Sequence, residues 1–204
     1  MRFSPRVLQT NRQRLLNAFP MRLRKDVDGV CDYLMDKNFD IHPSEQKIIL
    51  DKEALNIPSR VYFDTPDDTM EKTLSTTQQT ILNCLYLRHY NGFIRQRKLE
   101  KLVSNTDDYF IIPYVFALLG EYVMEILDVV DKHISDKTMD QYLRFFSENP
   151  LHRQKTEARM ISYWNEYYRW QYQRFDRYIG KKIFDKIKDG ERHFLEDKTC
   201  DKRR

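Results

Sequence analysis

Glycine is scarce in this sequence, with five residues in a chain of 204. So low a content disfavours a turn-rich β-sandwich or barrel, and it disfavours a glycine-rich loop that cradles phosphate. The patterns G-x-S-x-G and H-E-x-x-H and the nucleotide-binding loop are also absent from the sequence. These absences exclude the enzyme classes that depend on those motifs and favour a protein without catalytic activity.

Cysteine is rare as well. Cys31, Cys84 and Cys200 are odd in number and far apart, without a C-x-x-C motif or a histidine at metal-ligand spacing. This pattern predicts neither disulfides nor a structural zinc and is typical of a reducing compartment. No run approaches the roughly 18 apolar residues of a membrane span, and the N-terminus lacks a signal-peptide core. We expect a cytoplasmic protein with no cofactor, no metal and no membrane partner.

Charge is unevenly distributed, although the net charge is only +4. Residues 1–24 carry six arginines and no acid, residues 25–75 carry 6 basic and 12 acidic side chains, and residues 137–204 carry 17 and 11. Two basic ends therefore flank an acidic middle. These charges either balance one another within the fold or offer a surface to a polyanion.

Apolar periodicity predicts a mainly all-α fold. We expect a single helical domain over residues 1–195, followed by a charged tail over 196–204. Its parts are N-terminal helices at 1–37, an extended or loop segment at 38–74, helical hairpins at 75–148 and one long helix at 151–190. The second helix has its apolar residues on one face, spaced four, three and four apart: Leu23, Val27, Val30 and Leu34.

Helical periodicity vanishes between residues 38 and 74, where three prolines occur. Two short apolar runs, 47–50 and 60–63, favour extended backbone. The sequence predicts either a small β segment near residues 46–64, with a hairpin, or an irregular wrapped loop.

Helix-boundary signals divide the stretch from 76 to 133. Ser75 and Gln78 form a capping box before an apolar-periodic run, and Asn91-Gly92 is a turn dipeptide. These signals predict two helices joined by a turn.

The segment after the Asn-Gly turn resembles the second helix of a HEAT-type repeat. Ile94, Arg95 and Leu102 match the apolar, arginine and leucine positions, whereas Lys98 stands where a small residue is expected. A fainter copy covers residues 113–130, with Met124 in place of the arginine. The resemblance over 76–133 implies stacked antiparallel helical hairpins and no activity of its own.

Three carboxylates, Glu121, Glu125 and Asp128, share one face if this region is helical. They are suited to holding a divalent cation or to acid–base chemistry. We favour a structural role, in which they pair with arginines of the preceding hairpin. The predicted ion-pair residues are Arg88, Arg95, Arg97, Glu121 and Glu125.

The last helix carries the candidate binding residues on one face, spaced four, three, four, three and four apart. They are Tyr163, Tyr167, Trp170, Arg174, Arg177 and Lys181. Such a face anchors a protein partner or stacks nucleic-acid bases, unless it is buried between hairpins. Our hypothesis is a non-catalytic helical-repeat module that binds a protein and no small molecule. The alternative is a nucleic-acid-binding protein, including an enzyme acting on nucleic acid, that uses the basic ends.

Overall fold

The computed structural model describes residues 5–35 and 39–201. Helix accounts for 69% and strand for 10% of the structure, which confirms the mainly helical class. The sequence predicts one domain over residues 1–195. In the structure, contacts between residues group the chain into two compact units, 1–115 and 116–204.

The first unit combines helices with two short sheets. Its elements are α1 (Pro5–Leu16), α2 (Arg24–Met35), β1 (Phe39–Ile41), β2 (Glu45–Leu50), β3 (Glu53–Pro58), β4 (Val61–Phe63), α3 (Asp68–Glu71), α4 (Thr76–Tyr86) and α5 (Gly92–Asn105). Short 3₁₀ turns lie at Met21–Leu23 and Tyr109–Ile111, and α6 (Ile112–Ala117) follows the second.

The second unit is helical throughout its described part. After a 3₁₀ turn at Leu118–Gly120, its elements are α7 (Met124–His133), α8 (Asp136–Glu148), α9 (Pro150–Tyr163), a π-helical turn (Trp164–Tyr168), a 3₁₀ turn (Phe175–Arg177) and α10 (Ile179–Asp201). Phe116 is central to its core, because its ring meets Phe145, Phe146 and Phe184 at centroid distances of 5.6, 4.8 and 6.1 Å.

The apolar face predicted for α2 is confirmed: Leu23, Val27, Val30 and Leu34 are all buried. The Ser75–Gln78 capping box at the start of α4 is also present, as is an N-cap by Asn91 at the start of α5. Helix α4 packs against both α2 and α5. Local signals thus place these helix ends correctly.

Strands occupy much of the segment without helical periodicity, so the predicted small β segment is confirmed. The two apolar runs lie in or across β2 and β4, yet these strands do not pair with each other. Antiparallel pairs form instead between β2 and β3 and between β1 and β4. At the β2–β3 turn, Asp51 and Lys52 have φ values of 53° and 69°. Two successive positive φ angles are typical of a type I′ turn, whose twist matches that of the paired strands.

The single helix expected over residues 151–190 is interrupted. Helix α9 ends at Tyr163, and α10 begins at Ile179 and continues past Gly190, the predicted end. Aromatic packing across the intervening turn explains the break: the Trp164 ring lies 4.7 Å from the ring of Phe175, and its Nε1 donates a hydrogen bond to a backbone carbonyl at 3.0 Å. The side chains of the predicted charged tail, 196–204, and of Cys200 lie outside the described residues.

Candidate functional site

Three tyrosines of the second unit form a connected cluster near the end of α9. Tyr122 lies 5.7 Å from Tyr163 and 5.4 Å from Tyr167 between ring centroids, and Tyr163 lies 5.9 Å from Tyr167. Tyr122 and Tyr167 are each about half exposed. The cluster is therefore packed within itself and open to solvent on one side.

Trp170 extends this cluster as the most exposed tryptophan in the chain. Its side chain is 78% exposed, and its indole Nε1 donates a hydrogen bond to the Tyr167 carbonyl at 2.8 Å. We call Tyr122, Tyr163, Tyr167 and Trp170 together the aromatic surface. The indole N–H is satisfied internally, so the ring offers mainly an apolar face to a partner.

The aromatic surface is held by the π-helical turn. Tyr168, inside that turn, donates a hydrogen bond from its hydroxyl to the Tyr122 carbonyl and stacks on Tyr178 at 5.5 Å. Burial raises the pKa of Tyr168, with a smaller contribution from Glu125, so the phenol stays protonated and donating. Single π turns inside helices are frequent at functional sites.

The basic residues predicted on the same face lie beyond the break in the helix. Arg174 binds the Asp176 carboxylate at 2.5 Å, and this hydrogen bond lowers the pKa of Asp176. Lys181 pairs with Asp185 one helical turn later and lies 5.9 Å from the Phe175 ring centre. Arg177 is exposed. Because the helix is interrupted, spacing no longer places these cations on the aromatic face, and two of the three are engaged by carboxylates.

The arginines predicted to form ion pairs contact carbonyl groups and an acid of the first unit. Arg88 donates to the Pro58 and Ser59 carbonyls at 3.2 and 2.7 Å. Arg95 donates to the His89 and Tyr90 carbonyls at 2.7 and 3.0 Å. Arg97 lies 3.8 Å from Asp68.

The carboxylates predicted to pair with them belong to the second unit, and such pairing stays a prediction. The prediction that Glu121, Glu125 and Asp128 share one helical face is wrong. Helix α7 begins at Met124, whereas Glu121 has extended backbone at the end of the preceding 3₁₀ turn. Within the part of the chain that the structure describes, no group of three histidine, cysteine or acidic side chains is placed to hold a metal ion.

Sequence reasoning missed a buried ion pair in the first unit. Lys98 of α5 and Glu71 of α3 are 1% and 2% exposed, and the lysine Nζ contacts the Glu71 Oε2. The ammonium also lies 4.9 Å over the Tyr86 ring. Burial lowers the pKa of Lys98, and the contact with Glu71 partly offsets this. The only available signal was Lys98 itself, which stands where the predicted resemblance to a HEAT-type repeat calls for a small residue.

A second buried titratable group, His89, follows α4. Its Nε2 lies 3.0 Å from the Phe63 carbonyl, and its Nδ1 accepts a hydrogen bond from the Asn91 N–H at 3.1 Å. This arrangement requires a neutral ring with the proton on Nε2. Burial lowers the pKa of His89, and the nearby Arg95 lowers it further.

Among the described residues, no helix combines the length and apolar character needed to cross a membrane. Comparison with protein-family models, curated proteins and solved structures gives no match to this chain.

Proposed function

We propose that this protein is a non-catalytic binding module whose aromatic surface docks a segment of another protein. The observation that carries the proposal is the exposure of Trp170 and Tyr167 in one turn, where the Trp170 indole N–H donates a hydrogen bond to the Tyr167 carbonyl. Tryptophan and tyrosine are enriched among the residues that dominate the affinity of protein interfaces. An aromatic ring fixed by its own backbone contact loses little conformational entropy when a partner binds.

The chemistry of the partner is inferred from the charge of the neighbouring stretch of sequence. Residues 150–182 carry eight basic and three acidic side chains. A segment with apolar anchors between acidic residues complements this excess, because its acids gain favourable contacts with exposed cations such as Arg169 and Arg177. The partner is therefore an acidic protein segment with large apolar side chains.

The scaffold proposed for this surface is a stack of HEAT-like helical hairpins. Packing of α4 on α5 across the short connection that follows Tyr86 supports this proposal, since short connections join antiparallel helices. In the second unit, α10 packs against α7, α8 and α9. Repeats of this kind present binding residues without supplying a reaction themselves.

A peptide-display selection on the full-length chain tests the proposal. Selected peptides should be enriched in acidic and large apolar residues and should change the fluorescence of Trp170 on binding. The double variant Tyr167→Ala/Trp170→Ala should bind them at least about tenfold more weakly, as expected for the loss of interface anchors.

Phe93→Ala is the matched control, because Phe93 is 85% exposed but belongs to the first unit. Its affinity for the same peptides should equal that of the unmodified chain. Equal binding by the Tyr167/Trp170 variant would show that the aromatic surface is not the docking site.

The alternative function is binding of single-stranded nucleic acid. Exposed aromatic rings near arginines favour it, since bases stack on such rings and phosphates contact the cations. The pairing of Arg174 with Asp176 and of Lys181 with Asp185 weighs against it, because these carboxylates compete with phosphate. Binding of an oligonucleotide that weakens steeply with added salt would favour the alternative.

A further inference from the structure

Residues 65–73, which include α3, form a strap in the first unit. Among these nine described residues, Glu71 is the one that is buried, and the others are exposed or partly buried. Met70, the largest apolar side chain of the strap, is half exposed. Because hydrophobic stabilisation scales with the apolar area removed from water, it contributes little to holding the strap in place.

Both ends of the strap are fixed by α4. The Tyr86 hydroxyl donates a hydrogen bond to the Asp64 carbonyl at 3.3 Å, just before the strap. The Gln79 Nε2 donates one to the Leu74 carbonyl at 2.9 Å, just after it, and the capping box of Ser75 follows directly. The middle of the strap is therefore free to move away from the unit while its two ends stay attached.

Three cations of α5 lie against the acids of the strap. The Lys98 Nζ contacts the Glu71 Oε2 and lies 3.8 Å from an oxygen of Asp68. Lys101 lies 3.8 Å from Glu71, and Arg97 lies 3.8 Å from Asp68. The strap thus packs on α5 as an acidic segment on a basic helix face, with Lys98 at the centre of the contact.

The central ion pair is incomplete on the side of the strap. Within the described part of the chain, the Glu71 Oε1 is buried without a hydrogen-bond partner. An unsatisfied buried oxygen is costly, and a buried ion pair adds little net stability compared with apolar packing. The best-attested use of such a pair is to select one arrangement over another. These features favour a contact in which another carboxylate can replace that of Glu71.

We propose that the strap is an autoinhibitory segment, and that Lys98 is the centre of a site for an acidic segment of another protein. In the closed state Glu71 occupies this site. When the strap opens, the Lys98 ammonium, 4.9 Å from the Tyr86 ring centre, binds a carboxylate of the partner, and Lys101 adds a second cation.

The strap also sets a threshold for binding. A tethered segment has an effective concentration of about millimolar, so a partner displaces it only by making further contacts. None of the residues of this site belongs to the aromatic surface, so the site does not rest on the function proposed for that surface.

Acetylation of Lys98 tests the opening of the strap, because this amine is buried in the closed state. The full-length chain is treated with an N-hydroxysuccinimide ester of acetate, and the rate at each lysine is read by mass spectrometry. Glu71→Gln leaves Lys98 buried without its main counter-charge. The Lys98 rate should therefore rise at least about tenfold, as expected when a buried pair is broken. The rate at the exposed Lys72 should stay the same.

Glu100→Gln is the matched control for this variant. Glu100 is an exposed acid of α5 whose carboxylate accepts a hydrogen bond from Gln96 at 3.1 Å. Its substitution removes one negative charge from the same helix without touching the strap, so Lys98 should stay as unreactive as in the unmodified chain.

Binding is tested with the strap sequence itself, as a free peptide of residues 65–71 with blocked ends. In the Glu71→Gln chain this peptide should slow the acetylation of Lys98 saturably. The same peptide carrying Glu71→Gln should not slow it, and neither should acetate at the same concentration. In the unmodified chain the peptide should leave the rate unchanged, because the tethered strap outcompetes it.

Hydrogen exchange of the unmodified chain keeps the test decisive if Glu71→Gln unfolds. The Glu71 amide, bonded to the Asp67 carbonyl at 2.9 Å, should exchange at least about tenfold faster than the amides of α4, because the strap opens without unfolding of the unit. Equal exchange in the strap and α4, an unchanged Lys98 rate in a folded Glu71→Gln chain, or equal protection by both peptides or by acetate would overturn the proposal.

Discussion

Two buried titratable residues, Lys98 and His89, organise the first unit at the scale of single side chains. Each is fixed by partners that are distant along the chain: Glu71 for the lysine and Phe63 for the histidine. Lys98 ties α5 to α3, and His89 ties the end of α4 to β4. The stability of the unit therefore depends on the charge state of both residues.

Removal of one member of the buried ion pair should be costly. Lys98→Met leaves the buried Glu71 carboxylate with only the more distant and more exposed Lys101 at 3.8 Å, so we expect the free energy of unfolding to fall by about 3 kcal/mol, the low end for a broken buried pair. The double variant Lys98→Met/Glu71→Leu should lose less than Lys98→Met alone, since neither charge remains buried. Denaturant titration of the full chain measures both values.

An exposed pair provides the control for this prediction. Arg192 and Asp189 form such a pair on successive turns of α10. Arg192→Met should change the free energy of unfolding by about 0.5 kcal/mol or less. A double variant that loses more than the single Lys98 variant would contradict the role assigned to the buried pair.

His89 should make the protein sensitive to mild acid. Its pKa in the folded chain is lowered from 6.5, so between the folded pKa and 6.5 the unfolded chain binds more protons than the folded one. Stability therefore rises with pH across that window and is lost as pH falls below about 6.5. The physical reason is that the buried site disfavours a charged ring, and protonation also puts a second N–H against the Asn91 N–H.

The contribution of His89 is isolated by comparison with His89→Gln, which retains a donor for the Phe63 carbonyl and does not titrate. The free energy of unfolding, measured by urea titration from pH 7.5 to 5, should fall less steeply in this variant. Identical pH dependence in both proteins would mean that His89 titrates normally in the folded state.

At the scale of elements, the break between α9 and α10 shapes the candidate surface. Gly180, just after the break, lies against Met160 and Tyr178, and a Cβ there would come within 2.7 Å of both side chains. Helix propensity favours alanine over glycine by about 1 kcal/mol. Packing opposes it, because overpacking of a buried site costs about 1–3 kcal/mol.

We expect the cost of overpacking at this position to exceed the gain in helix propensity, so Gly180→Ala should destabilise the protein by about 1–2 kcal/mol. Met160→Ala makes room, and the double variant should lose less than the sum of the two single losses. Thermal and denaturant unfolding of the three variants measures this coupling. A stabilising Gly180→Ala substitution would show that the close approach is relieved elsewhere.

Local sequence signals predict the ends of several elements but not the path between them. The spacing of Val27, Val30 and Leu34 and the capping box at Ser75 depend on neighbours within one helix, so they are readable from sequence. The break after Tyr163 is not, because helical spacing continues through it while Trp164 packs on Phe175 across the turn.

The candidate sites also divide into features that local spacing predicts and features that depend on contacts between distant residues. Trp170 and Tyr167 are predicted as binding residues from their helical spacing, and in the structure the Trp170 indole N–H donates a hydrogen bond to the Tyr167 carbonyl. The Lys98–Glu71 pair, by contrast, joins residues 27 positions apart. Tertiary contacts of this kind leave little trace in a single sequence.

At the scale of the whole molecule, the chain consists of two compact units with different chemical character. The first holds the sheets and the buried Lys98–Glu71 pair, and the second holds the aromatic surface. Residues 150–182, which include three of the four residues of the aromatic surface, carry an excess of basic over acidic side chains. The central claim is that this surface recognises protein rather than nucleic acid.

One measurement tests that claim most directly: the affinities of the full-length chain for a display-selected acidic peptide and for single-stranded oligo-dT, each over a series of salt concentrations. We predict tight peptide binding that is lost in Tyr167→Ala/Trp170→Ala and retained in Phe93→Ala, with weak oligonucleotide binding throughout. Tight oligo-dT binding with a steep salt dependence, lost in the Tyr167/Trp170 variant, would contradict the account.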